Sequence, residues 1–360
     1  MSRIALLSSF CVAALAACSA SNSLPEPAAT AGASGTGTPA GAGGSGLAGG
    51  EAGNASGGAS GSAGTGVTLG GSGPGTDLDS LIYAHTDKEL FELDAKASSL
   101  TLKPLGEFEC LEDGSMTDLA VDSARNIWSV SASFVYRLEI GDQTVKCAEK
   151  IALKNASKEI RYFGLSFAPA GVLGDSEVLV AGNTAGELWS IDTDGSVAKV
   201  GTFGNVPKND GNGHTYANAG KAWELSGDIV FLANGGSPVG YATVRDCPKP
   251  PSTADCNETN TLIELDLTKL KTANGGSVTK SVRGQIVEAP GCKTPAFDAF
   301  GQMYGIAAWD DKVYGFSRSG NLVDINVKDG TGCFVQNYPA FKFAGAGVTT
   351  LAPVLPPPPK

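Results

Sequence analysis

From residue 80 onward the chain alternates short apolar runs with clusters of Gly, Asp, Asn and Ser; SLIYAH, ELFELD, EVLVAGN, ELWSIDTDG, DIVFLANG, TLIELDL and KVYGFSRSG are representative. Runs of this length, rich in β-branched and aromatic residues and bounded by turn formers, predict β-strands. Outside the extreme N-terminus no stretch keeps a 3.6-residue apolar period over three turns, so the expected helix content is very low.

The pattern also repeats. MTDLAVDSARNIWSVSASFVYRLEIGDQTVKC, at 116–147, has an echo in MYGIAAWDDKVYGFSRSGNLVDINVKDGTGC, at 303–333. Aligning the runs gives a module of four strands. Strand a is MTDLAVD (116–122), FGLSFAP (163–169), KAWELS (221–226), MYGIAAW (303–309) and GVTTLAP (347–353). Strand b is NIWSVS, EVLVAGN, DIVFLAN and KVYGFS; strand c is VYRLEI, ELWSIDTDG, TLIELDL and LVDINVKDG; a fourth strand, such as VKCAEKIAL or VAKVGTFG, closes the unit. A four-stranded repeat of roughly 40 to 50 residues predicts an all-β fold, the β-propeller, because each small sheet has two apolar faces that only its neighbours can cover. The C-terminal GVTTLAP is a strand a with nothing after it, while LIYAH and ELFELD are strands b and c with no strand a before them. Pairing the two termini completes one blade and closes a ring of five, or of six if residues 268–302 hide an irregular blade.

The turns DSARNIW (122–128) and LWSIDTDG (188–195) resemble blades of the loosely related YVTN, NHL and gluconolactonase-type propellers, over residues 81–353. The whole chain also resembles secreted bacterial propeller lipoproteins. These resemblances imply a fold and carry no activity.

The first residues, MSRIALLSSFCVAALAACSAS, combine one positive charge, Arg3, with an apolar run too short for a bilayer span and then small residues, which is the form of a secretory signal. Leu15-Ala16-Ala17-Cys18 is similar to the lipobox of bacterial lipoproteins. The resemblance implies cleavage after residue 17 and lipidation of Cys18, with several acyl chains giving a stable hold on a membrane. Residues 18–77 are rich in Gly, Ser and Ala with only Glu26, Glu51 and Asp77 charged, too poor in large apolar side chains to offset their ordering entropy. They read as a flexible tether spanning on the order of 40 Å. The propeller is expected over 78–355, followed by a stiff Pro-rich tail at 356–360.

Outside signal and tether stand 25 basic and 34 acidic residues, with no basic run. That balance argues against nucleic acid as a partner and against electrostatic attraction to anionic lipid. It leaves the lipid anchor as the membrane contact and an envelope protein or glycan as the candidate partner. The expected address is the cell envelope, on the extracytoplasmic side, at the outer membrane or cell surface.

Six cysteines remain beyond Cys11 and Cys18, an even count that reads as disulfides in an exported chain. Cys110 and Cys147 bracket one module as Cys292 and Cys333 bracket another, suggesting one arrangement used twice. Cys247 and Cys256 would close the Pro-rich loop DCPKPPSTADC. Zinc is disfavoured because there is no CxxC pair and no Cys–His spacing.

In a propeller the d-to-a and b-to-c connections emerge on one face, and this chain spends its insertions there, at 204–221 and 234–260. Loops on a rigid scaffold commonly carry recognition, so that face is the candidate working surface. Candidate binding residues are Asp210 and His214 in the first loop, with Asn209 and Asn212 close by, and Tyr241 in the second. Trp223 and Tyr304 sit on or beside inner strands. Asp118 and Asp298, near the starts of inner strands, are the residues to compare with the acidic and amide metal ligands of gluconolactonase-type propellers. No full ligand set matches, no cofactor is predicted, and a divalent metal in the channel is the alternative. With His85 and His214 the only histidines, a catalytic constellation is not legible. Asp192-Thr-Asp-Gly195 reads as a strand turn because Phe203 occupies the position where a calcium loop needs Glu. A binding or scaffold module is therefore favoured over a hydrolase or lyase.

Overall fold

A computed structural model describes residues 78–353 apart from 155–160, 234–236, 248–258, 271–274, 294, 296 and 311. The signal, Cys18, the tether and the Pro-rich tail lie outside the described residues, as does Cys256. The alternating runs form strands throughout. The first group is Leu81–Thr86 (β1), Glu89–Asp94 (β2) and Lys103–Phe108 (β3). Next come Asp118–Val121 (β4), Ile127–Val130 (β5), Phe134–Ile140 (β6) and Thr144–Ala152 (β7). Tyr162–Ala168 (β8), Val178–Asn183 (β9), Glu187–Ile191 (β10) and Val197–Thr202 (β11) follow. The fourth group is Glu224–Leu232 (β12), Val239–Arg245 (β13), Thr261–Leu265 (β14) and Thr279–Gln285 (β15). The last strands are Met303–Trp309 (β16), Lys312–Ser317 (β17), Asn321–Asn326 (β18), Gly332–Asn337 (β19) and Phe343–Val348 (β20). Among the described residues the only helical pieces are two short 3-10 turns, Leu78–Ser80 and Leu267–Lys269.

Three groups form separate four-stranded antiparallel sheets, and an eight-stranded sheet runs β20-β1-β2-β3-β7-β6-β5-β4. Its centre is a short parallel pairing in which Glu107 and Phe108 of β3 meet Thr144 and Val145 of β7. The same parallel contact recurs as isolated bridges: Lys154 with Ser196, Thr202 with Ser277, and Glu288 with Gly332. In each case the end of one group's last strand meets the start of the next group's last strand. The eight strands are thus two four-stranded meanders joined by a slightly longer version of a junction used elsewhere.

Burial falls from the first strand of each meander to the last. Every residue of β4 and β12 is buried, whereas β7, β11 and β19 are half exposed. The first strands pack on one another in cyclic order: β4 on β8, β8 on β12, β12 on β16, β16 on β20, and β20 on β4. Between sheets lies the apolar core. Leu225, Ile229 and Phe231 of β12, for instance, pack with Val180, Leu188 and Phe203 of the preceding group, each side chain contributing about 1.5–3 kcal/mol of burial.

The two bracketing cysteine pairs are disulfides with equivalent placement. Cys110–Cys147, Cα to Cα 5.8 Å, lies beside the β3–β7 junction, and Cys292–Cys333, at 5.4 Å, beside the Glu288–Gly332 junction. Cys247 is also disulfide-bonded, and its expected partner, Cys256, is outside the described residues.

Three sequence expectations need correction. The ELS of KAWELS and the DIVFL of DIVFLAN, read as strands a and b, form the single strand β12, because Ser226-Gly227-Asp228 is a bulge rather than a turn: its pairing with β13 shifts between Leu225 and Ile229. Consequently the 234–260 insertion contains a true strand, β13, and the connection proper begins at Asp246. The C-terminal strand is β20 at 343–348, not GVTTLAP at 347–353; it pairs with β1 from Val348–Ile82 back to Phe343–Thr86. The sequence reading begins this strand at Gly347 and leaves out Phe343–Ala346, whose small residues close packing demands. A Cβ on Gly345 would collide with Asp118 Oδ1 and His85 Nε2, and one on Gly347 would press on Leu119.

Candidate functional site

Bulges are what shape the centre of the molecule. In β8 the register skips Phe163, between the pairs Tyr162–Asn183 and Gly164–Gly182. In β16 it skips Tyr304, and in β20 it skips Ala344. A bulge adds an unpaired residue and re-aims its side chain. These three residues, with Thr117 just before β4 and Ser226 in the β12 bulge, line one pocket of about 360 Å3. Every sheet contributes to its wall. The rim comes from the corners where second strands end: Asp87 after β1, Thr184 after β9, Arg245 closing β13 and Arg318 after β17. Arg161, before β8, completes the basic lining.

Two of the arginines are held in place by carboxylates. Arg318 donates from Nη1 and Nη2 to Asp87 Oδ1 and Oδ2, both at 2.8 Å, and this fork holds Asp87 below the usual carboxylate range. Arg245 donates from Nε and Nη2 to Glu224 at 3.1 and 3.2 Å. Arg161 is exposed and makes no ion pair among the described residues. Ser226 is 6% exposed, and its buried Oγ has no hydrogen-bond partner.

Beneath this pocket, on the same strands, sits a buried acid pair. Asp118 Oδ2 accepts from Leu165 N at 2.5 Å, and Asp228 Oδ2 accepts from Ile306 N at 2.9 Å. Each carboxyl therefore ties its own first strand to the next one. Burial, the nearby charge of Asp228 and a hydrogen bond to it raise Asp118 well above the ordinary range. Asp228 is raised to about 7, chiefly by burial. Both carboxyls are therefore shifted toward their neutral, protonated form. His85 Nδ1 lies 2.7 Å from Thr86 O, to which it donates, and burial lowers the ring to about 4.

The long connection 204–221 is itself structured. Asp210 Oδ1 accepts from Asn212 N and His214 N, and its Oδ2 lies 2.7 Å from His214 Nδ1. Burial pushes the Asp210 carboxyl up, but His214 and the backbone donors prevail and hold it below the ordinary value. The two long connections meet: Asn218 N donates to Asp246 Oδ2 at 3.1 Å, and Tyr216 Oη lies 3.1 Å from Thr261 Oγ1. Both therefore flank the corner that carries Arg245.

Of the residues singled out in sequence, Tyr304 lines the pocket and Asp118 lies under it. Asp210 and His214 form a pair in the flanking loop. Trp223 is buried against Tyr216, ring centroids 5.1 Å apart, and Tyr241, expected in the second loop, lies on β13 in the core. Asp298 caps a turn, accepting from Phe300 N and Gly301 N at 3.0 Å, and lines a separate surface recess of about 200 Å3. Among the described residues no group of three His, Cys, Asp or Glu is placed to hold a metal. The sequence reading missed Arg161, Arg245, Arg318 and Ser226. A usable signal existed, since two repeats end strand b on a basic residue, in ATVRD and GFSRS.

No protein-family model matches the chain, and no curated protein matches it in sequence. Among solved structures, a chain from a nidogen/laminin complex superposes over 76% of this chain and 99% of that one, with 8% identity and a TM-score of 0.40. A chain from a complex of BBS1N with ARL6DN covers 72% of this chain and 62% of that one, at 11% identity and a TM-score of 0.32.

Proposed function

We propose that this chain is a lipid-anchored β-propeller of the bacterial envelope, five-bladed and closed by β20, that acts as a binding or scaffold module through its axial face. The observation that carries the reading is the coincidence on one face of the axial pocket and the two longest connections. The five-blade reading is supported by five four-stranded meanders and the cyclic packing of their first strands. Its closure rests on the pairing of β20 with β1. Disulfides at two junctions suit an oxidising compartment, in keeping with the lipobox at Cys18.

The partner in this reading is an envelope protein or glycan, held on the face where residues 204–221 meet Asp246 and Thr261. A photo-crosslinking residue at exposed Ala219, on that face, should capture it in cells, and one at exposed Asp142, in the β6–β7 turn, should not. Capture from Asp142 alone would reverse the assignment of the face. Loss of labelled palmitate on Cys18→Ser tests the anchor.

A further inference from the structure

We propose that the axial pocket takes a small organic anion, a carboxylate or phosphate monoester on a compact apolar body, gripped by the Arg161 and Arg245 guanidinium groups and the Ser226 hydroxyl. The inference deepens the binding-module reading and rests on it for the choice of face. The chain has seven arginines and a net charge of −11, yet three of the seven line this one opening, against a single lining carboxylate, Asp87. Self-repulsion in an acidic chain does not explain such a gathering of one sign. Arginine offers two parallel donors to a carboxylate or phosphate, and it keeps its charge when partly desolvated. The carboxylates of Glu224 and Asp87 fix Arg245 and Arg318 at the rim, so part of the ordering cost is met before a ligand arrives.

Ser226 is the independent observation. A hydroxyl with 6% exposure and no partner costs stability unless something completes it. Here the β12 bulge turns it to the pocket that the arginines ring. Phe163 and Leu225 supply apolar wall. A volume of about 360 Å3 lies at the small end of the range for ligand pockets, roughly 300–1,000 Å3.

The test uses the full purified chain with phenylacetate, phenyl phosphate and the neutral 2-phenylethanol, followed by calorimetry at low and high salt. One or both anions should bind more tightly than the alcohol and weaken as salt rises; which anion wins names the head group. Arg161→Gln and Ser226→Ala should each weaken binding about tenfold without lowering the thermal midpoint of the free protein, which Ser226→Ala should raise by removing a buried hydroxyl that has no partner. Neither removes a group that has a partner among the described residues, so a merely structural role would not give that split. Equal binding of the alcohol, absence of anion binding, or unchanged affinity in both variants would overturn the proposal. Anion binding together with crosslinks only from Asp142 would sink the partner-face reading alone. Crosslinks from Ala219 with no anion binding would sink this inference alone.

Discussion

Asp118 Oδ1 stands 4.0 Å from His85 Nε2 with both side chains fully buried, and neither atom has a hydrogen-bond partner. The two residues come from different meanders, β4 and β1, and meet only because Gly345 of β20 leaves room between them. This cluster, with Asp228, makes the centre of the molecule sensitive to pH and to volume.

Stability should fall as pH rises above about 6.5. Burial lowers His85 from 6.5 to about 4, so its contribution is lost as pH falls through that window. Asp118 and Asp228 are raised, Asp228 from 3.8 to about 7, so their contribution is lost as pH rises from 3.8 through the folded value. The two effects oppose each other at acid pH, and above 6.5 the acids act alone. The slope should approach about 1.4 kcal/mol per pH unit for each proton released. Urea denaturation at pH 6, 7 and 8 should show the decline in wild type and lose it in the D118N/D228N double variant. An equally steep decline in that variant contradicts the assignment of the decline to these two buried acids.

Gly345→Ala should destabilise by about 3 kcal/mol. Its methyl would overlap Asp118 Oδ1 and His85 Nε2, atoms that cannot retreat without breaking the Leu165 and Thr86 contacts. Gly211→Ala provides the contrast: its φ of +84° adds backbone strain but a Cβ there meets nothing within 4 Å, so the cost should stay near 1 kcal/mol. Comparable losses at the two positions would count against the packing of the centre.

Replacing Cys292 and Cys333 by Ser should cost about 3 kcal/mol, since the bond closes a separation of 41 residues. The Cys110–Cys147 pair should behave alike, with a separation of 37, because both reinforce the same kind of junction. A loss for one pair and none for the other would show that the junctions are not equivalent.

Ending the chain at Lys342 should remove β20 and expose the edge of β1, giving a protein that unfolds at lower denaturant and associates through the open edge. Sedimentation and urea melts read both effects. A monomeric truncated protein with the full-length midpoint would exclude β20 as the closing element.

Much of this was legible in the chain. Strands such as MYGIAAW and KVYGFS were read to the residue, because alternation and flanking turn formers agreed. The cysteine pairs followed from the repeat. The failures have one cause: at the centre, close packing selects small and polar residues that elsewhere mark turns. Ser226-Gly227-Asp228 reads as a break, and Phe343 to Ala346 is left outside the last strand, because a single chain's pattern does not reveal a neighbouring strand pressing on it. The pocket was hidden for a related reason, since Arg161, Arg245 and Arg318 are far apart in sequence and only the folded sheets bring them to one opening.

The claim that the axial face is the working surface is tested most directly by hydrogen exchange on the full chain, alone and bound to a solubilised envelope fraction. Amides in 206–220 and around Arg245 and Thr261 should slow on binding, while those around Asp142 and Thr193 stay unchanged. Protection confined to the Asp142 and Thr193 turns, with the mouth exchanging as in the free protein, would contradict it.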